Sequence, residues 1–198
     1  MSKKVVAIVG SYRKDGVIDR GVEAILEGAR EKGAETQTFY LAGQHLEFCT
    51  NCRQCVQNPG GERGKCVLKD DLESILTQIE AADAVVLGSP VNDFNATALF
   101  RGFMERLLGY TYWPWGQNAP RLRSKLQPRK AVLVASAAMP GLLIPLATGA
   151  PRALRLTAAT LGAKPVGSLW IGLASHQPHP PLSARTLGKA RRMGWKLA

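Results

Sequence analysis

The chain has 198 residues, enough for one α/β domain with a sizeable core and too few for two ordinary ones, so a single domain over 1–198 is expected. Its 26 Lys and Arg outnumber 15 Asp and Glu and leave a formal charge of +11, which suits nucleic acid, an anionic surface or an anionic cofactor. The basic residues are scattered apart from Lys189, Arg191, Arg192 and Lys196, and no zinc-finger, RRM or helix-turn-helix signature accompanies them. That sets nucleic acid aside in favour of solvated helix faces and a phosphorylated cofactor.

The start, MSKK followed by six apolar or small residues, is too short for a signal-peptide core and reads as the first strand of a cytoplasmic protein. GSYRKDG follows at 10–16. Then Ile18, Val22, Ile25, Leu26 and Ala29 recur at the helical period, with Gly33 where a C′ glycine belongs. A strand, a polar loop and a helix N-terminus in that order make an anion site from backbone N–H groups and the helix dipole. The loop is not GxGxxG, and no Lys-Ser or Lys-Thr follows the glycines that frame it, Gly10 and Gly16. It suits a single phosphate held without metal, as in flavin mononucleotide, with Ser11 and Arg13 as side-chain donors; the plain alternative is an ordinary βα turn.

Residues 35–41 read as a polar strand at a sheet edge. Leu72, Ile75, Leu76 and Ile79 form the next helical stripe, with Asp70 and Asp71 at the N-cap and first turn. Residues 84–87 are a buried strand, Leu99, Phe103, Met104 and Leu107 a third helical stripe, and 131–134 and 166–171 further strands. Residues 131–151 carry no charge and approach the length of a membrane span, but Pro140, Gly141 and Pro145 interrupt them, so they read as strand, loop and helix. The tail at 182–198 sets Leu187, Ala190 and Leu197 against basic positions, a pattern for an amphipathic helix packed on the sheet or on a neighbour.

Alternation of this kind predicts a parallel sheet covered on both faces, with ligands beyond the carboxyl ends of the strands. Three segments follow strands directly, 10–16, 88–97 (GSPVNDFNAT) and 136–141 (SAAMPG), and would share that edge.

GSYRKDG, GKCVLKDDLESIL and GSPVNDFNATALFRGFMERL together resemble the flavodoxin-like NADPH-dependent FMN reductase family, including its iron-sulfur flavoprotein branch, over residues 3–172. The resemblance implies a flavodoxin-like α/β three-layer sandwich with a five-stranded parallel sheet in order 2-1-3-4-5. It also implies FMN at the strand ends, NAD(P)H as reductant, and a homodimer or homotetramer whose partner subunit helps wall the flavin. Carried over by position, Ser11, Arg13 and Gly16 would hold the FMN phosphate, with Val17 and Ile18 beside it. Pro90, Val91, Asn92, Asp93 and Asn95 would line the isoalloxazine, and Ser136, Ala137 and Met139 would form a third flavin-side loop. Members usually place Asn, Ser or Thr where this chain has Val17 and Ile18, a loss of two side-chain phosphate donors for which main-chain amides would compensate. They usually place two aromatics and a glycine where this chain has Asn92, Asp93 and Phe94. The implied reaction passes hydride from a nicotinamide to the flavin and then electrons to a second small-molecule acceptor such as a quinone or flavin, in a ping-pong sequence. Most of that chemistry belongs to the cofactor, and no acid or base side chain is required, so no catalytic residue is named.

Cys49, Cys52, Cys55 and Cys66 are every cysteine in the chain, and such clustering reads as metal or redox chemistry. A [4Fe–4S] cluster, a zinc ion and four free thiols are all compatible with the spacing. A cluster would make the protein an electron carrier of the iron-sulfur flavoprotein kind. A flavodoxin-like module that binds no cofactor is the remaining alternative. Tyr110, Tyr112, Trp113 and Trp115 in YTYWPWGQ suggest an aromatic wall for flavin, substrate or a partner subunit, against a loop plugged into its own core. His45, His176 and His179 are isolated and read as surface residues.

Overall fold

The computed structural model describes residues 2–175, 177 and 179–198; His176 lies outside them. The chain forms β1 (Lys4–Val9), α1 (Val17–Glu31), β2 (Glu35–Tyr40), α2 (Leu72–Glu80), β3 (Ala84–Asn92), β4 (Asn95–Ala96), α3 (Ala98–Glu105), β5 (Thr111–Tyr112), β6 (Arg121–Leu122), β7 (Arg129–Ser136), α4 (Ile144–Ala147), α5 (Ala150–Thr160), β8 (Ala163–Ile171) and α6 (Ala184–Trp195). The main sheet runs β2-β1-β3-β7-β8, all parallel, and β4 folds back antiparallel on β3. Counting the parallel strands alone, this is the expected order 2-1-3-4-5, and β2 does lie at an edge. β5 and β6 make a separate two-stranded ribbon.

Both faces of the sheet are covered because the central strands are apolar on both faces. Val6, Ile8, Val85, Leu87 and Leu133 pack with the stripes of α2, α3 and α5. Val5, Ala7, Val9, Val86 and Val134 pack with α1 and α6. The tail helix therefore covers the sheet of its own chain. It crosses α1 so closely that a Cβ on Gly28 would lie 2.2 Å from the Arg191 carbonyl oxygen, and one on Gly194 would lie 1.9 Å from that of Ile25. Gly33 ends α1 at φ +83°, the left-handed C′ position. Among the described residues no helix is long and apolar enough to cross a membrane; residues 131–151 are divided among β7, a 3₁₀ turn, α4 and the start of α5.

One expected cap takes a different form. Asp71 occupies the N-cap of α2 without a side-chain cap bond, and its Oδ2 accepts instead from the His45 amide at 2.7 Å. Asp70 does reach the Leu72 amide at 3.2 Å, but its stronger partner is Arg106, 36 residues away.

Candidate functional site

The strand ends open onto a cleft of about 740 Å³ bounded by four segments, a volume in the range of small-molecule sites. Ser11, Arg13, Gly16, Val17 and Ile18 bring the first segment to it. The Ser11 hydroxyl accepts from the Arg13 amide and donates to the Arg13 carbonyl, each at 3.1 Å, folding the loop on itself. Asp15, at φ +57°, donates its amide to Asp19 Oδ2 at 2.7 Å. Gly16 is the N-cap of α1, and no side chain caps that helix, as is also true of α2, α4 and α5, whereas α3 and α6 are capped by Thr97 and Ser183. What sets α1 apart is its place: Gly16, Val17 and Ile18 bring the uncapped, positive end of a 15-residue helix to the cleft. Burial raises the Asp19 carboxyl above its ordinary range, partly offset by the Asp15 amide and the Tyr40 phenol.

Pro90, Val91 and Asn92 form the second wall. Beyond them the chain turns through Asp93 and Phe94, at φ +46° and +58°, so that Asn92 pairs with Asn95. Two left-handed residues in a two-residue hairpin are the requirement of a type I′ turn. Asp93 and Asn95 are not among the lining residues. The Asn95 carboxamide oxygen accepts from the Ala96 amide at 2.9 Å, and the side chain packs over Gly149 at the start of α5. In the third segment Ser136 and Ala137 reach the cleft together with Ala138. Met139 does not; it packs against the core, and its carbonyl accepts from the Leu173 amide at 3.1 Å.

Sequence reasoning missed a fourth wall, Ala174, Ser175, Gln177 and His179. It follows β8, and the Arg20 guanidinium fastens it to α1 through the Pro180 carbonyl at 2.8 Å. Extending the strand-end rule to the last strand would have located it. His179, read as an isolated surface residue, stands on this wall. Tyr12 was also overlooked. It lines both the cleft and a neighbouring slot of about 150 Å³ walled on its far side by Leu46, Glu47 and Phe48, just before the first cysteine.

None of the four cysteines is joined in a disulfide. Burial raises the Cys55 thiol first, and the charges of Cys66, Cys49 and Cys52 add to it, which places the four in one electrostatic neighbourhood. Among the described residues no three His, Cys, Asp or Glu side chains converge to hold a metal ion. The segment is stitched down by arginines. Arg106 and Asp70 have side chains only 1% exposed and pair through Nη1–Oδ2 at 2.6 Å and Nη2–Oδ1 at 3.2 Å. Arg106 also donates to the Glu47 carbonyl and to Cys66 Sγ at 3.4 Å. Arg123 donates to the carbonyls of Cys55, Asn58 and Gly60 at 3.1, 2.9 and 3.2 Å. Arg53 lies between Trp113 and Trp115, 3.8 and 4.1 Å from their ring centres. YTYWPWGQ therefore clamps the cysteine segment of its own chain, and none of its four aromatics lines the cleft.

A family model described as NADPH-dependent FMN reductase matches residues 3–176. An iron-sulfur flavoprotein of Archaeoglobus fulgidus is 33% identical over 111 residues, 56% of this chain and 48% of that one. One of Methanocaldococcus jannaschii is 36% identical over 103 residues, 52% and 51% of the two chains. The chain thus spans about half the length of the curated relatives it matches. Among solved structures, an NAD(P)H:quinone oxidoreductase from Methanothermobacter marburgensis superposes with a TM-score of 0.69 at 21% identity, over 100% of each chain. An azoreductase from Bacillus anthracis does so at 0.72 and 15%, over 98% of this chain and 99% of that one. At these identities the likeness shows the shared flavodoxin-like fold.

Proposed function

The chain belongs to the NADPH-dependent FMN reductase family, and from that premise we propose that it is an NAD(P)H-dependent oxidoreductase. In this reading one domain binds FMN in the four-walled cleft and passes electrons to a second small molecule. The observation that carries the reading is the uncapped N-terminus of α1 beside the polar loop 10–16, facing a cleft large enough for a mononucleotide. Main-chain amides there suit a phosphate whatever the side chains at Val17 and Ile18, and Arg13 adds a cation at the rim. Pro90, Val91 and Ala137 offer apolar surface that would exclude water from a flat ring system, while Asn92 and Ser136 supply polar groups to orient it. FMN, when bound, would supply the two-electron chemistry, taking hydride from the nicotinamide and releasing electrons to the acceptor. The names of the structural neighbours point to quinones and azo compounds as acceptors to try.

A second reading makes the protein an iron-sulfur flavoprotein, with Cys49, Cys52, Cys55 and Cys66 as [4Fe–4S] ligands. It draws on the relatives' names and on the shared neighbourhood of the thiols. The thiols as arranged form no closed donor set, so we derive no step through a cluster. We place the protein in the cytoplasm as a homodimer or homotetramer, acting on small molecules and not on nucleic acid or membranes.

An anaerobic visible spectrum of the purified protein with added FMN, before and after NADPH, tests this. The expected result is a bound-flavin band that bleaches on NADPH and returns on adding a quinone, with parallel initial-rate lines for a two-half-reaction sequence. Failure to take up FMN would overturn the reading. Iron and acid-labile sulfide near four per chain, measured in the same preparation, would support the cluster.

A further inference from the structure

Thr97 is completely buried and is not among the residues that line the cleft, yet it bonds to the segments that form two of its walls. Its hydroxyl donates to the Gly10 carbonyl at 2.6 Å and accepts from the Phe100 amide at 3.2 Å, as the N-cap of α3. Its own amide donates to the Ser89 hydroxyl at 3.1 Å. Ser89, equally buried, donates its hydroxyl to the Pro90 carbonyl at 3.0 Å. Each hydroxyl donates once and accepts from an amide, so the chain of bonds is complete without water.

Gly10 opens the polar loop, and Pro90 stands on the second wall. Between them the Gly10 amide donates to the Gly88 carbonyl at 2.8 Å. The first turn of α3 also presses on the loop, because a Cβ at Gly10 would lie 2.7 Å from the Phe100 Cβ. In a trans peptide the N–H points opposite to the C=O of the same plane. Pinning the Gly10 carbonyl toward Thr97 therefore turns the Ser11 amide away from Thr97, on the side where Ser11 borders the cleft. With valine and isoleucine at 17 and 18, no side-chain donor stands at the start of α1, and amide direction carries the more weight beside Ser11 and Arg13.

We propose that Thr97 is a positioning residue that aims the phosphate-facing amides and holds them in register with the Pro90–Asn92 wall. This deepens the FMN reading and rests on it. Removing the hydroxyl strands a buried carbonyl and a buried amide, and the loop is the element free to rotate in response.

The test is a fluorescence titration of apo-protein with FMN and, separately, with riboflavin, which lacks the phosphate. Thr97→Val keeps the shape and is expected to weaken FMN by about tenfold or more while changing riboflavin by less than about threefold. Thr97→Ser should restore FMN affinity to within about threefold of wild type. Equal losses for both ligands, or no loss, would overturn the proposal in favour of a structural cap. Should Thr97→Val not fold, Ser89→Ala removes the acceptor of the Thr97 amide and should show the same FMN-selective loss; an unchanged FMN preference in that variant would count equally against it. A wild type that binds neither ligand would instead remove the FMN reading itself.

Discussion

Arg106 and Asp70 form a buried ion pair whose cost of desolvation is largely offset by six hydrogen bonds: two between the charges, one each to Asp70 from the Glu47 and Leu72 amides, and one each from Arg106 to the Glu47 carbonyl and Cys66 Sγ, with the buried Arg106 Nε left without a partner. Burial works to raise the Asp70 carboxyl, but Arg106 and the two amides outweigh it and hold the group below the ordinary carboxylate range. A carboxyl lowered in the folded state stabilises fully above its unfolded value near 3.9 and loses that contribution as pH falls through the folded value. Urea titrations should therefore show the wild type losing stability below about pH 4 more steeply than Asp70→Asn. At pH 7 Asp70→Asn should be less stable by about 3–5 kcal/mol, since it leaves Arg106 charged, buried and without its counter-charge. Equal acid sensitivity in the two proteins would contradict the assignment. The sequence placed Asp70 as a helix cap because capping rules reach only a few residues; the guanidinium that claims it belongs to Arg106, the residue that follows α3. Non-local pairing of the same kind hid the role of Trp113 and Trp115, whose partner Arg53 lies among the cysteines.

The hairpin joining β3 to β4 carries visible backbone strain. Asp93 tolerates the left-handed region, but Phe94 at φ +58° does not gain from it, and the residue is 68% exposed. A non-glycine residue held there costs about 1 kcal/mol or more. Phe94→Gly should stabilise the protein by about 1 kcal/mol, read as a rise of about 2–4 °C in Tm. A fall would show that the ring packs usefully in the folded assembly. Strands and helices themselves were legible, because apolar runs and the helical period report burial directly: β1, α1, α2 and the cores of β3, β7 and β8 all lie where those patterns put them. Strand ends were not. β3 continues through Ser89, Pro90 and Asn92 because its register with β7 runs to Pro90 opposite Ser136, and pairing of that kind leaves no mark on local composition.

The molecule as a whole follows from the parallel sheet. Because every parallel strand points the same way, the segments leaving β1, β3, β7 and β8 gather at one edge and leave a cleft between them. Three of those segments could be named from sequence, since each follows an apolar run directly. The fourth carries no motif and is held at the cleft by non-local bonds, the Leu173 and Ala174 amides to the Met139 and Ala137 carbonyls and Arg20 to the Pro180 carbonyl. Asp93, Asn95 and Met139 share the loops of the lining residues but do not line the cleft; Asn95 packs over Gly149 and Met139 against the core. A crystal structure of the protein grown with excess FMN bears most directly on the central claim. The account expects the flavin phosphate against the amides of residues 11–18 at the start of α1, with the ring between the Pro90–Asn92 and Ser136–Ala137 walls. An empty cleft, or a flavin with its phosphate elsewhere, would contradict it.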